Sequence, residues 1–317
     1  MQRLYRTTFD RLDLADRFPA RFTSPNKKAF LEMVEGAPIP GSIDVARWAA
    51  VSLPTERSGR RPELVTKVGY FTYEPDTESV MQWHLNFANF DLFSAYAGSL
   101  LAQDEMQVLE HPDLARVRHA LLGEGLSTLV TDRAGPTPFT LTAVPRRGAI
   151  ETAPGSGRPG GLYGNRFAAA PVDQVLAATT VIKPPTLSNI VAMEAPAYGR
   201  GEYTSDEITG ILTAAVTGFG AAVAETERIA PGSRTVIHTG WWGCGAYGGN
   251  QELMALLQLV AAEWAEVNEV AFHIGSADSE PILQRARQAQ ESLPETTPEL
   301  VAAIADRRYQ WGVSDGN

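Results

Sequence analysis

The chain of 317 residues is 44% apolar and 20% charged, long enough for one large domain or two smaller ones around a substantial core. A formal net charge of −10 argues against a broad electrostatic grip on nucleic acid or an anionic membrane, but leaves room for a local, backbone-lined nucleotide pocket. The single cysteine, Cys244, excludes an internal disulfide and a cysteine-based metal cluster. The N-terminal stretch MQRLYRTTFDRLDLADRFP is charged throughout and lacks the apolar centre of a signal peptide. No uninterrupted apolar run nears the ~18 residues of a span, so no membrane segment and a cytoplasmic location are expected.

In chain order, residues 1–60 read as a mostly helical or irregular extension, with helical pieces over 26–36 and 43–51. A domain over 61–317 follows. The run 62–75 is β-rich. In 78–89, Val80, Gln82, His84 and Asn86 alternate with Met81, Trp83, Leu85 and Phe87, the pattern of a strand whose polar face does not simply meet solvent. Residues 99–123 are helical in pattern with a break at His111-Pro112. A strand over 136–145, a Gly/Pro-rich loop over 150–165 and a short buried strand over 189–196 come next. A helix over 203–225, a strand over 234–240, a glycine loop, a helix over 250–264 and a strand over 268–275 complete the core, and 286–308 suggests two more helices. Strands separated by helices predict an α/β layer architecture, a mixed sheet flanked by helices.

The glycine loop is 239-TGWWGCGAYGG-249, followed by Asn250 as a helix N-cap, with Gln251 and Glu252 in the first turn. A strand, a glycine loop and a helix together present free backbone N–H groups where an anion is favoured. The order is not a phosphate-binding Walker loop, because no lysine or hydroxyl follows the last glycine. Nor is it a dinucleotide fingerprint, because the next strand ends His273-Ile274 without an acid. The residues alone leave two readings, an anion site or a tight structural turn. Trp241, Trp242 and Tyr247 fit either core packing or contact with a sugar or base. His238, just before the loop, is either a ligand contact or an ordinary buried histidine.

TGWWGCGAYGG followed by a leucine-rich helix resembles the diphosphate-binding loop of the poly(ADP-ribose) glycohydrolase family, TGNWGCGxFGG, with Trp241 where the family has asparagine. A second segment carries the same resemblance. Taken alone, Gln103, Asp104 and Glu105 at a helix start serve capping and the helix dipole, and Asn89 closes a turn. The family signature runs from FAN through three glycines to QEE, and this chain has FAN at 87–89 and QDE at 103–105. The resemblance implies a macrodomain-like fold over roughly 62–280. It further implies Glu105 as catalytic acid/base, Asp104 holding ribose hydroxyls and Asn89 positioning the scissile ribose, with Gln103 beside them.

On the same basis the diphosphate loop is Trp242, Gly243, Cys244, Gly245, Ala246, Tyr247 and Gly248. Tyr163, in 160-GGLYGNRF-167, corresponds to a tyrosine that closes over the ligand, although a plain surface loop fits those residues equally. Phe93, Ser94 and Ala95 stand where the family has its glycines, so Phe93 is expected to narrow the pocket. The implied activity is hydrolysis of an O-glycosidic ribose bond in an ADP-ribosylated or related ribosyl-nucleotide substrate, a small molecule or a modified macromolecule. A non-catalytic ADP-ribose or nucleotide reader and a glycosidase of small nucleoside metabolites are the alternatives. No cofactor, metal, membrane or stable nucleic-acid partner is expected.

Overall fold

In the computed structural model, which describes residues 1–155, 160–195 and 197–316, strand β1 (Arg3–Asp10) leads into helices α1 (Arg11–Arg17) and α2 (Pro25–Val34). The side chain of Asp10 accepts the N–H groups of Leu12 and Asp13, and that of Ser24 accepts the N–H of Lys27, so each helix starts on a capped turn. Strand β2 (Ser42–Trp48) follows. It replaces the helix expected over 43–51. Antiparallel pairing to β1 on one side and β7 on the other satisfies its backbone, and Ile43 and Val45 alternate into the core. That pairing outweighs the helical leaning of the VARWAA run. The N-terminal extension thus adds two strands to the main sheet.

Strands β3 (Glu63–Lys67) and β4 (Val80–Ala88) fall where the alternation predicts, and α3 (Gln103–Glu110) and α4 (Asp113–Gly123) part at His111-Pro112. A two-residue pair, β5 (Thr131–Asp132) with β6 (Gly135–Pro136), precedes the long strand β7 (Phe139–Ile150). The centre of the loop expected over 150–165 lies outside the described residues. Short helices α5 (Asn165–Ala169) and α6 (Val172–Ala177) lead to β8 (Thr179–Glu194), which begins earlier than the expected buried strand because its first residues pair with the far end of β7. Helix α7 (Ser205–Ile229), strand β9 (Arg234–Gly240), helix α8 (Gln251–Trp264) and strand β10 (Glu269–His273) alternate as expected, and α9 (Glu280–Glu291) and α10 (Thr297–Ala305) end the chain.

One eight-stranded sheet runs in the order β1-β2-β7-β8-β4-β9-β10-β3. Its first three pairings, β1–β2, β2–β7 and β7–β8, are antiparallel, and the run from β8 to β3 is parallel. Apolar layers cover both faces. Met81, Trp83 and Leu85 of β4 join a core with α7, α8, α9 and α10. The opposite face packs α2, α3 and α4 over Ile43, Val45, Leu141 and Ile190. Helix α7 has the length and composition of a membrane span, but 61% of its most apolar stretch is buried inside the fold, as befits a core helix.

The parallel half of the sheet gives the architecture its function-bearing edge. In open α/β sheets ligands bind beyond the carboxyl ends of such strands. Trp83 holds this half to α7: it is fully buried, and its indole N–H donates to Thr226 Oγ1 at 2.9 Å. Trp83→Ala removes a large ring and leaves the threonine hydroxyl without its donor, so it is expected to destabilise the fold by about 3–5 kcal/mol. Denaturant unfolding measures this, and a loss below about 1 kcal/mol would show that the core is not centred there.

Candidate active site

The C-terminal ends of β3, β4, β8, β9 and β10 open onto one cavity of about 440 Å³. Its walls include Tyr70 and Phe71 after β3, Asn89 after β4, Ala195 after β8 and the loop after β9. The start of α3 closes one side. Gln103, Asp104 and Glu105 there share the cavity with Gly243, Cys244, Gly245, Ala246 and Tyr247 of the glycine loop, although the two segments are far apart in sequence.

Gln103 explains how the start of α3 comes to lie against β4. Its Oε1 accepts the Phe87 N–H at 2.7 Å, and its amide donates to the Leu85 carbonyl at 2.9 Å. The side chain thus bridges the β4 backbone, a positioning task and not a reach for ligand. Asp104, the next residue, accepts from the amide of buried Asn86 at 2.9 Å. Glu105 folds back so that its Oε2 accepts the Ala102 N–H at 3.1 Å. Both carboxyls are buried.

Burial pushes Asp104 up to about 7, with the Glu105 charge adding to the shift against the Asn86 bond and Lys27. The charge–charge effect within the pair thus falls on Asp104. Glu105 is raised too, by burial, against the N–H groups it accepts from and Lys27. Lys27 of α2 is fully buried nearby, its ammonium donating to the Tyr96 carbonyl at 2.8 Å. Burial lowers it to about 8, opposed by Glu105 and Asp104. The result is a carboxyl pair that holds a proton near neutral pH beside one buried cation. Sequence reasoning missed Lys27 because it lies in the extension, on a helix whose pattern carries no sign of its partners.

In the glycine loop, Gly243 has φ +75°, and a Cβ there would stand 2.5 Å from that of Ala195, so only glycine fits. Cys244 N–H bonds back to Trp241 O, and Gly249 N–H to Gly243 O. Among the described residues, the N–H groups of Gly245, Ala246 and Tyr247 have no acceptor, and three successive free donors make an anion-binding concavity. Asn250 caps α8 as expected, accepting the Leu253 N–H. Burial raises the Cys244 thiol, which keeps it neutral and inert.

Trp242 is fully buried, its indole donating to Met193 O at 3.2 Å, which makes the ring core. Tyr247 is half-buried and leans on exposed Tyr198, ring centroids 5.6 Å apart. Tyr163 lines the cavity and stacks on Tyr70 at 5.7 Å. Asn89 lines it too, its Oδ1 accepting the Phe90 N–H.

Two expected residues are elsewhere. Phe93 does not narrow the pocket: its ring is fully buried in the core under α3 and α4. Its φ of +54° keeps the left-handed turn a glycine would take, and burial of the ring offsets that strain. Ala95 takes the place on the wall. Gly248 lies off the cavity, buried against residues 312–314. Its carbonyl accepts the Gly312 N–H at 2.8 Å, and residues 312–315 lie along the loop, with the Asp315 carboxylate 3.3 Å from where a Gly245 Cβ would be. His238 is buried behind the wall, bonded to Gln82 and His273, the last of which lines the cavity.

Gln103→Leu fills the space but leaves the Leu85 carbonyl and Phe87 N–H without partners. It is expected to destabilise the protein by about 1–3 kcal/mol and to loosen the acid pair, seen as faster amide exchange at 103–106. Unchanged exchange and stability would remove Gln103 as the clamp.

A family model described as "Poly (ADP-ribose) glycohydrolase (PARG), Macro domain fold" matches residues 163–279. The matched stretch takes in Tyr163 and the glycine loop and leaves the acid pair outside. Among solved structures, this chain is similar to poly(ADP-ribose) glycohydrolase from Thermomonospora curvata (14% identity, 89% of this chain and 85% of that one, TM-score 0.46). It is also similar to that enzyme bound to the inhibitor ADP-HPD (15%, 93% and 95%, TM-score 0.45). A third is poly(ADP-ribose) glycohydrolase from Deinococcus radiodurans in complex with ADP-ribose (13%, 90% and 94%, TM-score 0.42). Residues 163–279 are thus similar to the Macro domain fold of poly(ADP-ribose) glycohydrolases.

Proposed function

We propose that this protein hydrolyses an O-glycosidic ribose bond of an ADP-ribosylated or related ribosyl-nucleotide substrate, with Glu105 as general acid and then general base. One observation carries the reading: the buried acid pair and residues 245–247, whose N–H groups have no acceptor among the described residues, line the same cavity. A diphosphate on the loop sets a ribose between loop and acids. Glu105 gives its proton to the departing oxygen, and positive charge developing on the ribose ring is met by the carboxylate so formed. The same carboxylate then takes a proton from the incoming water. A single residue acting twice differs from the usual glycosidase pair. Asp104, held by Asn86, orients ribose hydroxyls, and Tyr163 with Tyr70 forms the wall over them. A cytoplasmic location belongs to the same proposal.

Glu105→Gln keeps size and polarity but cannot exchange a proton. Turnover is expected to fall about 10²–10⁴-fold, with affinity for ADP-ribose nearly unchanged by calorimetry. Asp104→Asn weakens binding along with rate. Near-parental turnover in Glu105→Gln removes that residue from the chemistry. A parent that binds ADP-ribose and never turns over an ADP-ribosylated substrate makes the protein a reader.

The protonated pair sets the pH dependence. Burial raises both carboxyls, Asp104 to about 7 and Glu105 above its ordinary value, so the protonated form of the pair is favoured at low pH and is lost as pH rises. kcat/KM is therefore expected to decline about tenfold per pH unit on the alkaline side. A profile flat from pH 6 to 9 would contradict the assignment.

A further inference from the structure

Directly behind the cavity wall the fold gathers imidazoles and one carboxylate that the proposed chemistry does not use. His84 of β4 is fully buried, and neither of its ring nitrogens has a hydrogen-bond partner among the described residues. It stacks on His238 of β9, ring centroids 4.4 Å apart. Glu74, in the segment between β3 and β4, points Oε2 at His238 Nδ1 across 3.8 Å, and that oxygen is likewise buried without a partner. One ligand atom from each of Glu74, His84 and His238 lies within 4.8 Å of the others. His273 Nε2 stands 3.1 Å from His238 Nδ1, beside this group.

Three buried polar atoms left unpaired in one place are unusual, because each forgoes its hydrogen bonds to water. The proton count sharpens the point. A carbonyl only accepts, so His273 Nδ1, 3.0 Å from Tyr70 O, carries the ring proton, and Nε2 is a lone pair aimed at His238. With the Gln82 amide oriented so that Oε1 faces His238 Nε2 at 2.8 Å, His238 protonates there and turns a second lone pair toward His273. The His238 Nδ1 lone pair then faces a second lone pair at 3.1 Å and a carboxylate oxygen at 3.8 Å. A cation resolves that meeting of acceptors.

We propose that Glu74, His84 and His238 bind one divalent transition-metal ion of the zinc class, with His273 beside them. Two imidazoles and one carboxylate are a donor set of such an ion. Gln82 on His238 and Tyr70 O on His273 orient the rings from behind. Lys67 engages Glu74 Oε1 and leaves Oε2 for the ion. The ligands come from β4, β9 and the segment after β3, so the ion ties that segment, with Tyr70 and Phe71, to the sheet. It thereby braces the wall against which Tyr163 stacks.

The test uses the whole protein, stripped with chelator and titrated with Co²⁺ alone, then Zn²⁺. Expected are ligand-field absorption bands of four-coordinate cobalt at one ion per chain, their bleaching by Zn²⁺, and a rise in Tm of about 5 °C at a hundredfold excess over Kd. Glu74→Gln, at a partly exposed position, is expected to fold and to lose at least ~10-fold in cobalt affinity. His84→Phe, which can pack against Phe71 and Tyr73, is expected to abolish the bands. If His84→Phe does not fold, Glu74→Gln alone decides. Absence of bands and of any Tm shift in the parent overturns the proposal, as does parental affinity in Glu74→Gln. Nitrogen-15 spectra of the stripped protein that put the His238 proton on Nδ1 describe a simple hydrogen-bonded pair and also count against it. These readouts do not depend on turnover.

Discussion

The start of α3 is bound to the last residues of β4 by one side chain, Gln103, through the Phe87 N–H and the Leu85 carbonyl. Everything at the site follows from that clamp. It turns the first turn of α3 toward the cavity, buries Asp104 and Glu105 where water cannot stabilise their charges, and so raises their proton affinity. Capping alone would have left two ionised acids at an exposed helix end.

Strand β4 bears the opposite requirement on its two faces. Met81, Trp83 and Leu85 enter the core with α7 and α8, while Gln82, His84 and Asn86 point to the other side. A buried polar face costs free energy unless each group finds a partner. Asn86 finds Asp104, Gln82 finds His238, and His84 finds only stacked rings. The polar face thus runs from the acid pair at one end to the imidazole cluster further down the strand, and the two share a wall.

The N-terminal segment does more than extend the sheet. Its strands β1 and β2 continue past β7, and α2 delivers Lys27 to the underside of the acid pair. A buried cation there favours the ionised state of one carboxyl without neutralising both. Phe93 shows a similar economy of fold. The left-handed turn is retained where the related loop has glycine, but the ring is directed into the core, so the cavity wall is made by Ala95.

Local pattern alone settled the alternation of β4 with its unsolvated polar face, the strand–glycine loop–helix unit capped by Asn250, the break at His111-Pro112, and the alternation of strands and helices that makes the fold α/β. These are legible because they rest on backbone periodicity and on steric limits acting within a few residues. Tertiary structure decided that 42–48 is a strand, because the partners that satisfy its backbone lie at 3–10 and 139–150. It decided that Phe93 points inward, that Gly248 backs onto the chain's last residues, and that Glu74, His84, His238 and His273 meet. Such outcomes depend on desolvation and pairing between segments distant in sequence, and no local pattern records which buried face a side chain will find.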